Sequence, residues 1–247
     1  MQMHRRELLT GTALLLLLSM MPLHARPILS RIPWEPDGGP PIPVEPGPWL
    51  FFTPEEGAAV EAIVDRLIPP DPDAAGGKEA GCAVFIDRQL AGPYGSSQRL
   101  YMAGPFMHGT PQQGHQSPLT PAMQYRRGLA ALDKYCRASF GGTRFAGLAD
   151  EQKDRLLAGL EAGSVKLDGA DSKTFFKQLL TNTREGFFAD PLYGGNRNMV
   201  GWKMLGFPGA RYDYSDWVER HDEHFPLPPV SIAGGRPQWN AMMGTAL

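Results

Sequence analysis

Thr53-Pro54-Glu55-Glu56-Gly57-Ala58-Ala59-Val60-Glu61-Ala62-Ile63-Val64-Asp65-Arg66-Leu67-Ile68-Pro69-Pro70 is a stretch with both ends of a helix marked. Thr53 is an N-cap, Pro54 suits the first helical position, and Glu56 stands where a capping box needs an acceptor. Val60, Ile63, Val64 and Leu67 recur at helical spacing and make one apolar stripe. Pro69-Pro70 ends the run, because proline lacks the N–H and fixes φ.

The same grammar repeats downstream. A short helix is expected from about Gly81 to Leu90, with Val84, Phe85 and Ile86 inward, Asp87 and Arg88 outward, and Gly92-Pro93 closing it. A long loop from Tyr94 to Leu119 follows, rich in Gly and Pro; a loop of that length inside a domain usually serves a function. Thr120-Pro121 opens a third helix carrying Tyr125, Leu129, Leu132, Cys136 and Phe140 on one face, and Gly141-Gly142 caps it. Further helices are expected over Asp150–Ala162 and Ser172–Phe188, with a short one near Met199–Leu205. No run alternates with period two among β-branched residues, so sheet is minor or absent. The fold class is mostly α: a single helical domain, residues 50–220, with long irregular connections.

N-terminal to this domain, Arg5-Arg6 precede an apolar run from Leu8 to about Met21. The run is short for a membrane span and fits a signal peptide over residues 1–25, with the arginine pair pointing to twin-arginine export. A general secretory signal or an uncleaved anchor are the alternatives. Residues 26–49 hold so many prolines that a regular element is precluded, and they read as an extended Pro-rich arm or tether. At the other end, residues 221–247 read as an irregular tail.

The 247 residues carry a net charge of -2, which gives no reason to expect a nucleic-acid partner. Gly-x-Gly-x-x-Gly after a strand and Gly-Lys-Ser/Thr are both missing, so no nucleotide cradle is legible. Two cysteines, Cys82 and Cys136, are too few for an iron–sulfur ligand set. In an exported chain they are a candidate disulfide; two buried thiols, or one bonded to a partner chain, are the other arrangements. His221 and His224 share a helical spacing that a metal could use. The prolines at 226, 228 and 229 argue instead for a frayed, solvated segment, and a metal needs further ligands.

The segment from Phe187 to Trp217 is dense in Tyr, Trp, Phe, Arg and Asn between turn-forming glycines, a composition suited to recognition. Phe187, Phe188 and Phe207 are assigned to the core. Tyr193, Asn196, Arg197, Trp202, Arg211, Tyr212, Tyr214 and Trp217 are the candidate partner interface, with the Tyr94–Leu119 loop as a second contributor.

Gly-Phe-Phe-Ala-Asp-Pro-Leu-Tyr-Gly-Gly-Asn-Arg ending at Arg197, then Gly201-Trp202-Lys203, then Gly206-Phe207-Pro208-Gly209-Ala210-Arg211-Tyr212-Asp213-Tyr214, resembles gluconate 2-dehydrogenase subunit 3. The first two helices resemble that family as well, through Asp65-Arg66-Leu67-Ile68-Pro69 and Phe85 to Gly95. The departures are Ala149, where a serine cap is common, and Asp150, which replaces a helix-starting proline. The resemblance implies a non-catalytic small subunit with no cofactor in this chain. FAD would reside in a large flavoprotein dehydrogenase subunit and haem c in a multihaem cytochrome c subunit. It also implies that the small subunit supports folding of the large one and carries it through the twin-arginine translocation machinery. The complex would be periplasmic and associated with the inner membrane, with its substrate among gluconate, related sugar acids and polyols. An independent periplasmic metal enzyme and a free-standing helical binding protein are the competing readings.

Overall fold

Thr53 does what its sequence position dictates: its hydroxyl accepts the Glu56 N–H at 3.2 Å, and the Glu56 carboxylate accepts the Thr53 N–H at 2.9 Å. These bonds start α1, Pro54–Leu67, in a computed structural model that describes residues 47–72, 74–107, 109–113, 116–210 and 214–232. The described residues belong to one compact unit. Arg5, Arg6, the expected signal, the arm as far as residue 46, Arg211, Tyr212 and residues 233–247 lie outside the described residues.

Five more helices follow: α2, Cys82–Ala91; α3, Pro121–Ser139; α4, Asp150–Ala162; α5, Ser172–Phe188; and α6, Val200–Leu205. The boundaries have local causes. Thr120 caps α3 by accepting the Met123 N–H, and Asp171 caps α5 by accepting the Thr174 N–H. Ala149 has no side-chain acceptor for the start of α4, so only the return half of a capping box forms, with Gln152 accepting the Ala149 N–H at 3.0 Å. Gly163 ends α4 at φ 72°, a left-handed conformation in which glycine avoids the Cβ clash. Among the described residues there is no strand, only one isolated bridge between Gly209 and Val230.

α5 is the central element and packs against each of the other five helices. Its inward face carries Phe175, Phe176, Leu179 and Phe187, set against Val60 and Ile63 of α1, Ile86 of α2, Tyr125 and Leu132 of α3, and Leu160 of α4. Gly128 lets α3 approach α5: a Cβ there would lie 2.3–2.7 Å from the Phe175 ring. Arg66 clamps α1 to α4, donating to Asp154 at 2.6 and 2.7 Å and to Asp150 at 3.1 Å. The polar atoms inside are largely paired. Asn182, on α5, takes the Tyr125 hydroxyl at 3.0 Å and bonds the Tyr94 hydroxyl and Glu185.

One helix face differs from its expected orientation. Asp87 is fully buried, not outward, because the backbone leading into α1 arrives over it. Its carboxylate accepts the N–H groups of Leu50, Phe51 and Phe52 at 2.9, 2.9 and 3.0 Å, while Arg88 donates to it at 2.6 Å and also reaches the Pro48 carbonyl. Almost every position from Cys82 to Leu90 is buried, so α2 is an internal helix and periodicity alone could not choose its outer side.

Candidate partner-binding surface

The recognition segment begins where α5 stops. Ala189 is extended, and Asp190 then caps a single 3-10 turn, Pro191–Tyr193, by accepting the Leu192 N–H at 2.9 Å. Gly195 passes so close to α5 that a Cβ would lie 2.1 Å from the Gly186 carbonyl oxygen. Asn196, Asn198 and Met199 all have positive φ, at 44°, 56° and 55°. Asparagine tolerates this region, whereas Met199 is held there by its burial.

Within this turn the side chains separate into two sets. Asn196 is fully buried: its amide donates to the Ala189 carbonyl at 2.8 Å and accepts the Gly201 N–H at 2.9 Å, which fixes the start of α6 on the end of α5. Trp202 is also internal, donating from Nε1 to the Phe188 carbonyl at 2.8 Å and packing edge-on against Phe207 at 5.3 Å. Arg197 is half-buried. Its N–H bonds the Ala80 carbonyl, and its side chain lies against Gly81, with Nε and Nη2 buried and lacking a hydrogen-bond partner among the described residues. These three candidate interface residues therefore hold the turn together from inside.

The exposed set is different. Phe188 is 39% exposed and Phe207 46%, which corrects their assignment to the core; only Phe187 is buried. Phe188 is the last residue of α5, and Phe207 lies just past α6, so both sit at an edge that no further element covers among the described residues. Met204 and Leu205, at 53% and 63%, continue the apolar surface along α6, and Tyr193 is 49% exposed on the neighbouring turn. Trp202 and Phe207 touch, and a Cβ on Gly201 would meet Phe188, so Phe188 and Phe207 both adjoin α6. Large apolar side chains exposed near one another are a common feature of interaction sites. Tyr214 and Trp217 are half-buried around Phe225, with Arg220 stacked 4.7 Å over Trp217, and the Tyr214 hydroxyl donates to the Gly209 carbonyl. In the long loop, Leu100, Tyr101 and Met107 are strongly exposed.

A segment the sequence marked as frayed closes one side of the surface. Val230 pairs with Gly209, where a Cβ would fall 2.2 Å from the Val230 carbonyl oxygen. Asp190 then receives the Ser231 hydroxyl and the Ile232 N–H, both at 2.7 Å. No local pattern announces this, since Asp190 lies 41 and 42 residues from Ser231 and Ile232.

The remaining candidates carry little chemistry. Cys82 and Cys136 are free, buried thiols. Burial pushes the Cys82 thiol up to about 12, with its backbone hydrogen bond and Arg197 opposing; burial and then Asp133 push Cys136 up to about 11. Both are protonated at neutral pH and poor nucleophiles. His221 and His224 are exposed, and no group of three His, Cys, Asp or Glu among the described residues could hold a metal ion. A depression of about 470 Å³ lies between the start of α1 and α3, but its Arg144 is shared between Asp133 at 3.5 Å and Glu55 at 3.9 Å. A second, of about 580 Å³, is lined by Leu90, Pro93, Gln98 and Thr120 among others, with no ionisable side chain.

The described residues thus form a helical domain with exposed aromatic, methionine and leucine side chains at the α5–α6 end. The profile of gluconate 2-dehydrogenase subunit 3 matches residues 54–209, from the first residue of α1 to the glycine that Val230 crosses, and the chain belongs to that family. Membership places it with a multisubunit gluconate dehydrogenase. No curated protein and no solved structure matches the chain. No helix among the described residues is long and apolar enough to cross a membrane.

Proposed function

We propose that this chain is the non-catalytic small subunit of a membrane-associated, flavin-dependent dehydrogenase of gluconate or a related sugar acid or polyol. It binds the large flavoprotein subunit and supports that subunit's folding and twin-arginine export. The observation that carries the reading is the group of large apolar side chains Phe188, Met204, Leu205 and Phe207, which lie inside the family's stretch and are exposed among the described residues. Interfaces are anchored by a few large apolar and aromatic side chains in such patches. FAD binding usually relies on a strand–turn–helix cradle, and the described residues hold no strand to build one. On this reading FAD belongs to the large subunit and haem c to a multihaem cytochrome c subunit that takes the electrons onward in the periplasm, at the inner membrane.

Co-expression with the large subunit tests it. Met204→Asp with Leu205→Asp leaves the circular dichroism of the small subunit unchanged, because both side chains are more than half exposed. It weakens the complex by about a hundredfold or more, as expected when two anchors are lost. Arg5→Lys with Arg6→Lys retains both subunits in the cytoplasm. Recovery of the flavoprotein in undiminished yield with the double aspartate variant would sink the assignment of this surface.

A further inference from the structure

Many cations of this domain stand against carboxylates, as Arg66 does against Asp154, Lys134 against Asp168 and Arg137 against Asp133. The outer face of α5 does not follow that rule. Lys173, Lys177, Thr181, Arg184 and Phe188 are all exposed, and they fall within about 80° of one another around the helix, at roughly 100° per residue. None of the three cations has an ion-pair partner among the described residues. The carboxylate beside Arg184 in sequence, Glu185, is engaged by the Asn182 amide at 2.8 Å. The arrangement costs the free chain stability. Lys173 stands in the first turn of α5, where the helix dipole disfavours a cation, and it repels Lys177 at the i,i+4 spacing. The Lys173 stem lies over Gly163, where a Cβ would fall 2.5 Å from its Cε, so the carbonyl end of α4 offsets part of that cost. Lys177 and Arg184 have no such compensation.

We infer that this face of α5 receives an acidic surface of the large subunit, with Lys177 and Arg184 steering that surface onto the apolar side chains at the α5–α6 end. The inference rests on the function proposed above and adds the chemistry of the partner. A single-sign face selects an occupant of the opposite sign. The face also runs into Phe188, which adjoins α6, where Met204 and Leu205 are exposed. Cations therefore stand beside apolar anchors, the order of polar rim and apolar centre found in protein interfaces. A lipid surface would call for apolar side chains along the length of the helix. In α5 those residues, Phe175, Phe176, Leu179 and Phe187, are buried, and Phe188 alone is turned outward. A second copy of the chain is a poor match too: Glu151 and Glu161, the exposed and unpaired carboxylates of α4, share that helix with the exposed Arg155.

The test follows association of the full small subunit with the purified large subunit by stopped flow, over a range of salt concentrations. The parent rate falls about tenfold or more between low and high salt, as for a steered encounter. Lys177→Glu with Arg184→Glu lowers the low-salt rate by about tenfold or more and flattens its salt dependence, with the dissociation rate little changed. Lys177→Gln with Arg184→Gln lies between the two. All four substitutions are at exposed positions, so circular dichroism stays that of the parent. An unaltered rate and salt dependence in the charge-reversed variant would overturn this inference alone. Parent subunits that do not associate at all would overturn the proposed function and this inference with it. Two further measurements decide against the acidic partner. One is binding of the parent to phosphatidylglycerol vesicles that charge reversal abolishes while subunit association is unchanged, which would make lipid the occupant. The other is a dimeric elution volume of the isolated parent that charge reversal abolishes, which would make it a second copy.

Discussion

Asp87 accepts the backbone N–H of Phe52 at 3.0 Å from a position withdrawn from solvent, across a sequence separation of 35 residues. With the Leu50 and Phe51 bonds, this carboxylate satisfies three consecutive donors that precede α1, and Arg88 supplies the opposing charge. The chain entering the domain from the arm is thereby held on α2. Asp87→Asn keeps the shape but offers one acceptor oxygen in place of a charged pair, and puts an amide donor among N–H groups. Hydrogen bonds to a charged group contribute about 1.5–3 kcal/mol each, so a loss of roughly 3 kcal/mol is expected. For a domain of this size that lowers Tm by about 6–12 °C, which thermal denaturation followed at 222 nm would register. A change within about 1 °C would mean the buried charge is not what fixes this entry.

Ala149 is an α-helix start where the backbone is ready for a cap and the side chain is not. Its φ of -65° and ψ of 153° are extended, as an N-cap requires, and Gln152 already bonds back to its N–H. Ala149→Ser completes the capping box by offering an acceptor to the Gln152 N–H. The gain is about 1 kcal/mol, typical of replacing alanine by serine at an N-cap. Urea titration should move the midpoint upward with the slope unchanged. No shift would indicate that α4 draws its stability from Leu156, Leu157 and Leu160 and not from its first turn.

The helices were legible because their ends are chemical. Thr53, Thr120 and Asp171 accept N–H groups three residues on, and Gly163 takes up the left-handed turn, so the bounds of α4 and α5 agree with the pattern to the residue. Burial of individual side chains was less legible. Asp87 reads as outward because a carboxylate is normally solvated, and nothing near it in sequence signals that three backbone donors arrive from residues 50–52. Phe188 and Phe207 read as core because they are large and apolar, but both lie at an edge left exposed among the described residues. Asn196 and Trp202 show the converse. Their types suit an interface, yet their polar atoms are used on the carbonyls of Ala189 and Phe188. The candidate surface was therefore legible as a segment and not as a set of outward-facing side chains. Which side chains face outward depends on how α6 lies against α5, and that is set by the strained turn at Asn196–Met199.

Cys82 connects this packing to pH. Burial raises its thiol to about 12 in the folded chain, against an ordinary value of 9.0, with Arg197 partly offsetting the rise. The raised value means that the folded state keeps its proton where the unfolded chain has already lost it. Stability contributed by the protonated thiol is complete below about pH 9 and falls as pH rises from there toward about 12. Cys136 acts in the same sense, from about 9.0 toward about 11. Lysines and tyrosines titrate over the same range, so the comparison with Cys82→Ala is what isolates the thiol. The parent chain should lose stability more steeply than the variant between pH 8.5 and about 10.5, whatever the offset caused by the cavity at neutral pH. The same burial makes both thiols unreactive toward a disulfide reagent at pH 8 until urea unfolds the chain. Rapid labelling of Cys82 in the native protein, or parallel pH profiles for parent and variant, would show that α2 is not packed against α5 as tightly as the structure has it.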